Sequence, residues 1–509
     1  MESIFFCQRS FTDLVSKSMF LEALLERTSL SPDSFTRGIR DEIHGGRPLC
    51  LPPLSHLSSE RYDWSMKREV NLREGGIISS MLLFSLPIIL GNIFQQAYNL
   101  ADTLIVGRFL GAGALAAVGS AYTLMTFLNS LLIGLSMGAG ALFSISYGRG
   151  DMTEMRKDIF NSTVLFSVIA VVLTAVCYLL TDRILSLLQT PSELFEDERE
   201  YIKVIFSGIF FVFLYNYSSY ILRSRGDSST PLWFLIFSAL LNIVLDLVFI
   251  ISLNRGVKGA AEATVISEAV SGIGITVYLL LTQKDLLPRK DERKIDGRRM
   301  GTILRYSFLT SIQQSIMNFG ILMIQGLVNS FGTVVMASFA AAVKIDTLAY
   351  TPSQEFGSAY SIFVSQNLGG GKTERIRKGT KGAFVVSAAF SVVISVVICV
   401  FAPVFMSFFV DSAETDVIAG GVEYLRIEGS FYIGIGILFL LYGYYRGIGR
   451  PEWSIVLTVI SLGLRVLLAY TLSPHFGETA IWRAIVIGWI AADITGLIAM
   501  RKVRMNTGN

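Results

Sequence analysis

The chain has 509 residues, 52% of them apolar and only 16% charged, with a mean hydropathy of +0.55. Soluble domains carry about 25% charged residues, and a net charge of +3 is too small for a nucleic-acid binder that works by neutralising phosphates. Four scattered cysteines and three histidines, with no CxxC or His/Cys cluster, support neither a disulfide framework nor a structural zinc site.

Residues 1–65 mix charge, Ser and Pro, as in LPPLSHLSSERYDW, and contain no apolar run of signal-peptide length. They are expected to be a disordered tail or the product of a start codon placed too early, with Met66 opening the basic lead-in MKREVNLREGG. A membrane-spanning helix needs about 20 apolar residues. Such runs follow at 78–102, 115–143, 158–181, 202–222, 231–253, 260–282, 303–328, 334–363, 382–409, 422–445, 452–472 and 479–500. The expected fold is therefore an all-α membrane protein with twelve transmembrane helices.

Lys and Arg crowd into alternate loops, at 67–73, 149–157, 223–225, 284–299, 372–381, 446–450 and 501–504. The intervening loops offer Arg108, Arg183, Arg199, Arg255, Lys258 and Arg483. The positive-inside rule places the basic loops and both termini in the cytoplasm of a cell with this protein in its plasma (inner) membrane. The acidic stretch 192–200 is then an external, solvated loop.

The two halves resemble each other. GRFLGAGALAAVGSAY (107–122) matches VNSFGTVVMASFAAAV (328–343) at an offset of 221, and YGRGDMTEMRK (147–157) matches LGGGKTERIRK (368–378) at the same offset. RSRGDSSTP (223–231) matches RGIGRPEWS (446–454) at an offset of 223. Six spans separate the copies, so the halves keep one orientation and are related by a pseudo-two-fold along the membrane normal. The expected domains are an N-terminal six-helix lobe (66–283), a cytoplasmic linker (284–299) able to flex, a C-terminal six-helix lobe (300–500) and a cytoplasmic tail (501–509). Two such lobes around a cleft suit alternating access by a transporter.

Ionisable groups inside spans are the functional candidates. An aspartate at a helix centre costs about 2.5–3.5 kcal/mol to insert and persists when paired, hydrated or functional. Asp102 closes the first span, and Asp246 sits within the fifth with Asn242 one turn earlier on the same face. Buried together, such groups take up a proton or hold a sodium ion between oxygens; structural hydrogen bonding is the alternative. Pro87 removes a backbone donor and is expected to kink the first span. Gln95 and Tyr98 share the face of Asp102, and Tyr201 is a candidate apolar wall of the same cavity.

Several segments resemble the multidrug and toxic compound extrusion (MATE) family: FSLPIILGNIFQQAYNLADTLIVGRFLGAGALAAVG (84–119), RSRGDSSTP (223–231), LLNIVLDLVFI (240–250), GVKGAAEATVIS (256–267) and SQNLGGGKTERIRKG (365–379). The resemblance implies a V-shaped pair of six-helix lobes that exports amphipathic, often cationic compounds in exchange for protons or sodium ions. It implies an N-lobe coupling site at Asp102, Asn216, Asn242, Asp246 and Thr264. Residues 306–331, the seventh span, contain no acid, which favours the N-lobe site over the C-lobe cation site of another branch. By the same comparison, Lys344 and Asp346 in the eighth span face the cavity or form an ion pair. Glu268 and Glu355 stand where relatives carry amides and point to a cavity for cationic substrates. Arg465, at the repeat position of Asn242, is a fixed charge in the C-lobe.

No cofactor is expected beyond the coupling proton or sodium ion, and no metal site beyond a sodium ion. The expected partners are an amphipathic small molecule and the lipid bilayer, with no nucleic acid, and the protein is expected to be a monomer. An intramembrane enzyme would need a motif such as HExxH or a Ser/His pair, and neither is present. The rival transport reading is a lipid-linked oligosaccharide flippase or polysaccharide exporter, which requires a strongly basic cleft.

Overall fold

The computed structural model describes residues 69–187, 190 and 192–503. The expectation for residues 1–65, and most of that for 501–509, lie outside the described residues. The twelve expected spans all fall on helices: α1 Ile77–Gly111, α2 Gly113–Arg149, α3 Met152–Leu179, α4 Phe195–Arg225, α5 Ser229–Ser252 and α6 Gly256–Thr282. The second half has α7 Gly297–Asn329, α8 Thr333–Gly369, α9 Thr373–Ser407, α10, α11 Pro451–Phe476 and α12 Thr479–Lys502. α10 is two segments, Thr415–Gly429 and Tyr432–Gly447, bent by 53°. A short helix, Thr181–Leu187, follows α3. Most helices overrun the apolar runs by about a turn or more, because charged ends continue the backbone hydrogen bonding beyond the hydrocarbon core.

The chain doubles back between α1 and α2 at Gly111, whose φ of 88° and ψ of −175° lie outside the helical region and are open to glycine; Arg73, just before α1, thereby reaches the Tyr147 carbonyl at the far end of α2. α1 keeps helical dihedrals through Pro87. The lipid-facing surfaces read directly from side-chain spacing: Val385, Val392, Val396 and Val400 leave an exposed stripe along α9 at the i, i+7, i+11, i+15 positions of a helix face.

The cores do not follow the sequence halves strictly. Residues of α2 to α6 make one apolar core, and residues of α7 to α12 make the second. Leu72, Met81, Phe84 and Ile88, at the start of and just before α1, belong to the C-lobe core. Reciprocally, Ile303 at the start of α7 belongs to the N-lobe core, and α7 packs so closely on α2 that a Cβ at Gly134 or Gly138 would collide with the backbone of Ser311 or Ser307. Each half thus lends the first part of its leading helix to the other, as the internal repeat requires of a symmetric pair.

On the side of the basic loops the lobes are pressed together. A Cβ on Gly148 of α2 would strike the Gln366 carbonyl of α8, and one on Gly369 would strike the Ile145 carbonyl. Gln366 donates to the Ser224 carbonyl at 2.8 Å, and Asn367 donates to the Leu72 carbonyl at 3.1 Å.

The linker is not a free strap. Arg156 of α3 grips the Glu292 carboxylate through Nε and Nη2 at 2.7 and 2.6 Å, and this guanidinium pulls the Glu292 pKa down to about 2. Arg299 reaches Glu154 at 2.6 Å and Asp158 at 2.5 Å. Asn161 donates to the Lys294 carbonyl and accepts from the Asp296 N–H. These bonds fasten 285–299 to the N-lobe, correcting the expectation of a flexing connection: its charges are spaced to meet partners on α3, not to repel one another.

Candidate functional site

The N-lobe gathers its polar groups around the end of α5. The buried face of that helix runs Ala239, Asn242, Asp246, the i, i+3, i+7 spacing that points all three inward. Asn242 is 2% exposed and Asp246 fully buried. Immediately after Asp246 the helix widens into a π-turn, Leu247–Ser252, a deviation that is frequent at functional sites.

Asp102, on α1, brings its carboxyl into the neighbourhood of Asp246, and the two groups interact. Asn242 donates to the Thr264 hydroxyl at 3.4 Å, and that hydroxyl donates to the Ala260 carbonyl at 3.1 Å. Among the described residues, Asp102 Oδ1, Asn242 Oδ1 and both Asp246 oxygens are buried without a hydrogen-bond donor. Four orphaned oxygens in one lobe are a costly arrangement unless a proton or cation enters. Asn216, in contrast, bonds the Val212 carbonyl of its own helix at 2.9 Å.

Aromatic and acidic side chains surround this pair. Tyr98 adjoins Gln95 and lies near Asp102 and Glu268. Tyr201, 2% exposed, lies near Asp102, Asp246, Glu268 and Tyr98. Glu268 therefore stands with the N-lobe acids. Glu355 does not: it sits at the junction of the lobes, where Asn92 of α1 donates to its Oε1 at 3.0 Å.

The C-lobe holds a second polar cluster around a cavity of about 80 Å³, lined by Asp346, Tyr350, Tyr424, Glu428 and Arg465 among apolar side chains. Asp346 and Glu428 are 4% and 2% exposed, and Arg465 is 9% exposed. Arg465 faces both acids, and the Tyr424 and Tyr432 hydroxyls flank Asp346. Lys344 lies two residues from Asp346 on α8 and is exposed, so it does not share this buried cavity. Glu428 lies within the expected tenth span, 422–445, but is not among the candidates read from the sequence. The buried face of the first α10 segment, Val417, Gly421, Tyr424, Leu425 and Glu428, has helical spacing and would have placed it inside.

The described residues hold no cluster of three or more His, Cys, Asp or Glu fit for a metal ion. The N-lobe donor set, two carboxylates with an amide and a hydroxyl oxygen, suits a proton or an alkali cation.

Comparison with known proteins agrees with this architecture. The MatE family model matches residues 87–248 and 307–471, one segment in each half. A probable multidrug resistance protein, YpnP of Bacillus subtilis strain 168, is 30% identical over 85% of this chain and 96% of its own length. The probable multidrug resistance protein NorM of Thermotoga maritima is 26% identical over 82% of this chain and 89% of its own. A multidrug resistance MATE family transporter solved in an outward-facing conformation superposes with a TM-score of 0.80 at 26% identity, covering 86% of this chain and 97% of that one. With both halves matched and the two-lobed helical fold in place, the chain belongs to the MatE family of multidrug efflux transporters.

Proposed function

We propose that the protein is a secondary antiporter that exports amphipathic compounds across the plasma membrane, driven by protons or sodium ions entering at the Asp102–Asp246 pair. The observation that carries this reading is the pair itself: a fully buried Asp246 and a half-buried Asp102 whose carboxyls interact, with three of their oxygens buried and lacking donors. Two such groups cannot both stay ionised in a low-dielectric setting without a counter-charge. A cation arriving there changes the local charge by one unit and favours one arrangement of the lobes over the other. Asn242 and Thr264 supply further oxygens, Asn216 lies on the neighbouring helix, and Pro87 on α1 leaves one helical carbonyl unpaired where that helix would bend.

Gln95, Tyr98, Tyr201 and Glu268 form the chamber through which substrate and coupling site would communicate. Glu268 and Glu355 favour substrates with a cationic centre. The basic loops and both termini face the cytoplasm in this reading. The test is dye efflux from proteoliposomes with an imposed proton or sodium gradient. Either gradient, but not membrane potential alone, should drive ethidium transport, and Asp102→Asn should abolish the gradient dependence. Gradient-driven efflux that survives in Asp102→Asn sinks the assignment.

A further inference from the structure

The ends of α4 and α10 carry a pair of arginines that the coupling site does not use. Arg223 ends α4 and Arg446 ends the second segment of α10. They occupy the same place in the two repeats, the first residue of RSRGDSSTP and of RGIGRPEWS. In the sequence both look like loop charges at a membrane surface. In the structure Arg446 is 5% exposed; the hydrogen bond its side chain makes is Nε to Ser361 Oγ at 3.1 Å. Arg223 lies over the Tyr220 ring at 5.2 Å, and its Nε is buried without a hydrogen-bond partner.

Glu355 interacts with both guanidiniums, yet among the described residues no ion pair within 4 Å joins it to either one. Its carboxylate is instead held from the opposite lobe by Asn92 at 3.0 Å. A structural ion pair in this same molecule looks different, as Arg156 and Glu292 show at 2.6 Å. Two guanidiniums, that of Arg446 buried and that of Arg223 half-buried, and one half-buried carboxylate leave a surplus positive charge at the lobe junction. Such a surplus is costly unless a ligand meets it.

Guanidinium groups recognise planar or tetrahedral oxyanions through paired N–H donors. We propose that Arg223 and Arg446 clamp an oxyanion of the exported substrate, a carboxylate or phosphate, so that the preferred cargo is an amphiphile bearing an anionic group. One arginine comes from each lobe, so the site spans their junction on the basic-loop side. This inference rests on the export reading above and narrows its substrate class from purely cationic compounds to zwitterionic or anionic ones.

The test uses rhodamine B, which carries a free carboxylate, and its ethyl ester, which lacks that charge. Binding of each is followed by fluorescence anisotropy with the full chain in phosphatidylcholine nanodiscs. The wild type should bind the acid about tenfold more tightly than the ester. In Arg223→Gln and Arg446→Gln the affinity for the acid should fall toward that for the ester. Equal binding of the two dyes by the wild type, or equal weakening of both by the substitutions, overturns the clamp. Loss of the acid preference when phosphatidylglycerol is added assigns the arginines to lipid headgroups and also overturns it. If a variant fails to fold, the wild-type acid-to-ester ratio still decides. Gradient-driven transport of the ester in proteoliposomes is scored separately: its presence without an acid preference removes the clamp alone, whereas absence of driven transport for both dyes removes the export reading.

Discussion

Asn242 of α5 and Arg465 of α11 occupy corresponding positions of the two repeats, and each shares its lobe with a pair of acids inside spans: Asp102 and Asp246 in one, Asp346 and Glu428 in the other. The C-lobe therefore carries its own counter-charge, while the N-lobe offers only a neutral amide. Under the proposed coupling, a mobile cation has work to do in the first lobe and little in the second.

Replacing Asp246 with Asn should separate coupling from stability. The amide removes a buried carboxyl that has no donor, so the unfolding temperature should stay level or rise by about 1 °C, the scale of about 1 kcal/mol in a chain of this size. Gradient-driven dye efflux should fall to background. Thermal unfolding in detergent beside a proteoliposome assay gives both numbers, and a marked loss of stability would contradict the reading of an uncompensated acid.

The opposite result is expected for Arg465→Met. Removing the only basic member of that C-lobe cavity leaves Asp346 and Glu428 buried without their counter-charge, at a cost of roughly 2–4 kcal/mol. Adding Glu428→Gln should restore part of the lost melting temperature, because one stranded acid is neutralised. A double mutant no more stable than Arg465→Met alone would show that the three side chains are energetically independent.

Gly148→Ala and Gly369→Ala each place a methyl group against an opposing backbone carbonyl. Both should push the lobes apart on the basic-loop side. Spin labels at Lys157 and Lys378, read by pulsed dipolar spectroscopy, should show a longer distance population in either variant than in the wild type. An unchanged distribution would mean that the contact yields without moving the lobes.

The linker should respond to acid. The Glu292 pKa is depressed by Arg156 to about 2, from about 4.3 in an unfolded chain, so the stabilisation it gives is complete above that unfolded value and is lost as pH falls toward 2. Hydrogen exchange across 284–296, corrected for intrinsic rates, should therefore quicken between about pH 4 and pH 2. Glu292→Gln should show the faster exchange already at pH 7. Equal protection in both proteins at pH 7 would show that the pair does not hold the linker.

Hydropathy alone placed the helices, because a membrane span must hide its backbone and does so with long apolar runs. It also exposed Asp102 and Asp246, since a charge inside such a run is conspicuous. It was blind where polarity and position conflict. Arg446 sits at a span end, where charges are cheap, and Glu428 beside the bend of α10; the inward turn of their helix faces reveals them. The fastening of the linker was equally hidden, because Arg156, Asn161 and Arg299 meet their partners across more than a hundred residues of chain. Nor does sequence spacing announce that α1 and α7 begin in one another's cores.

That exchange of leading helices bears on how the molecule is made. The amino-terminal half cannot complete its interior until α7 has left the ribosome, and α1 must wait for α8 before its first turns find their neighbours. Biogenesis is then a single cooperative closure late in synthesis, and a gene cut between the halves would yield two fragments that mature only when produced together.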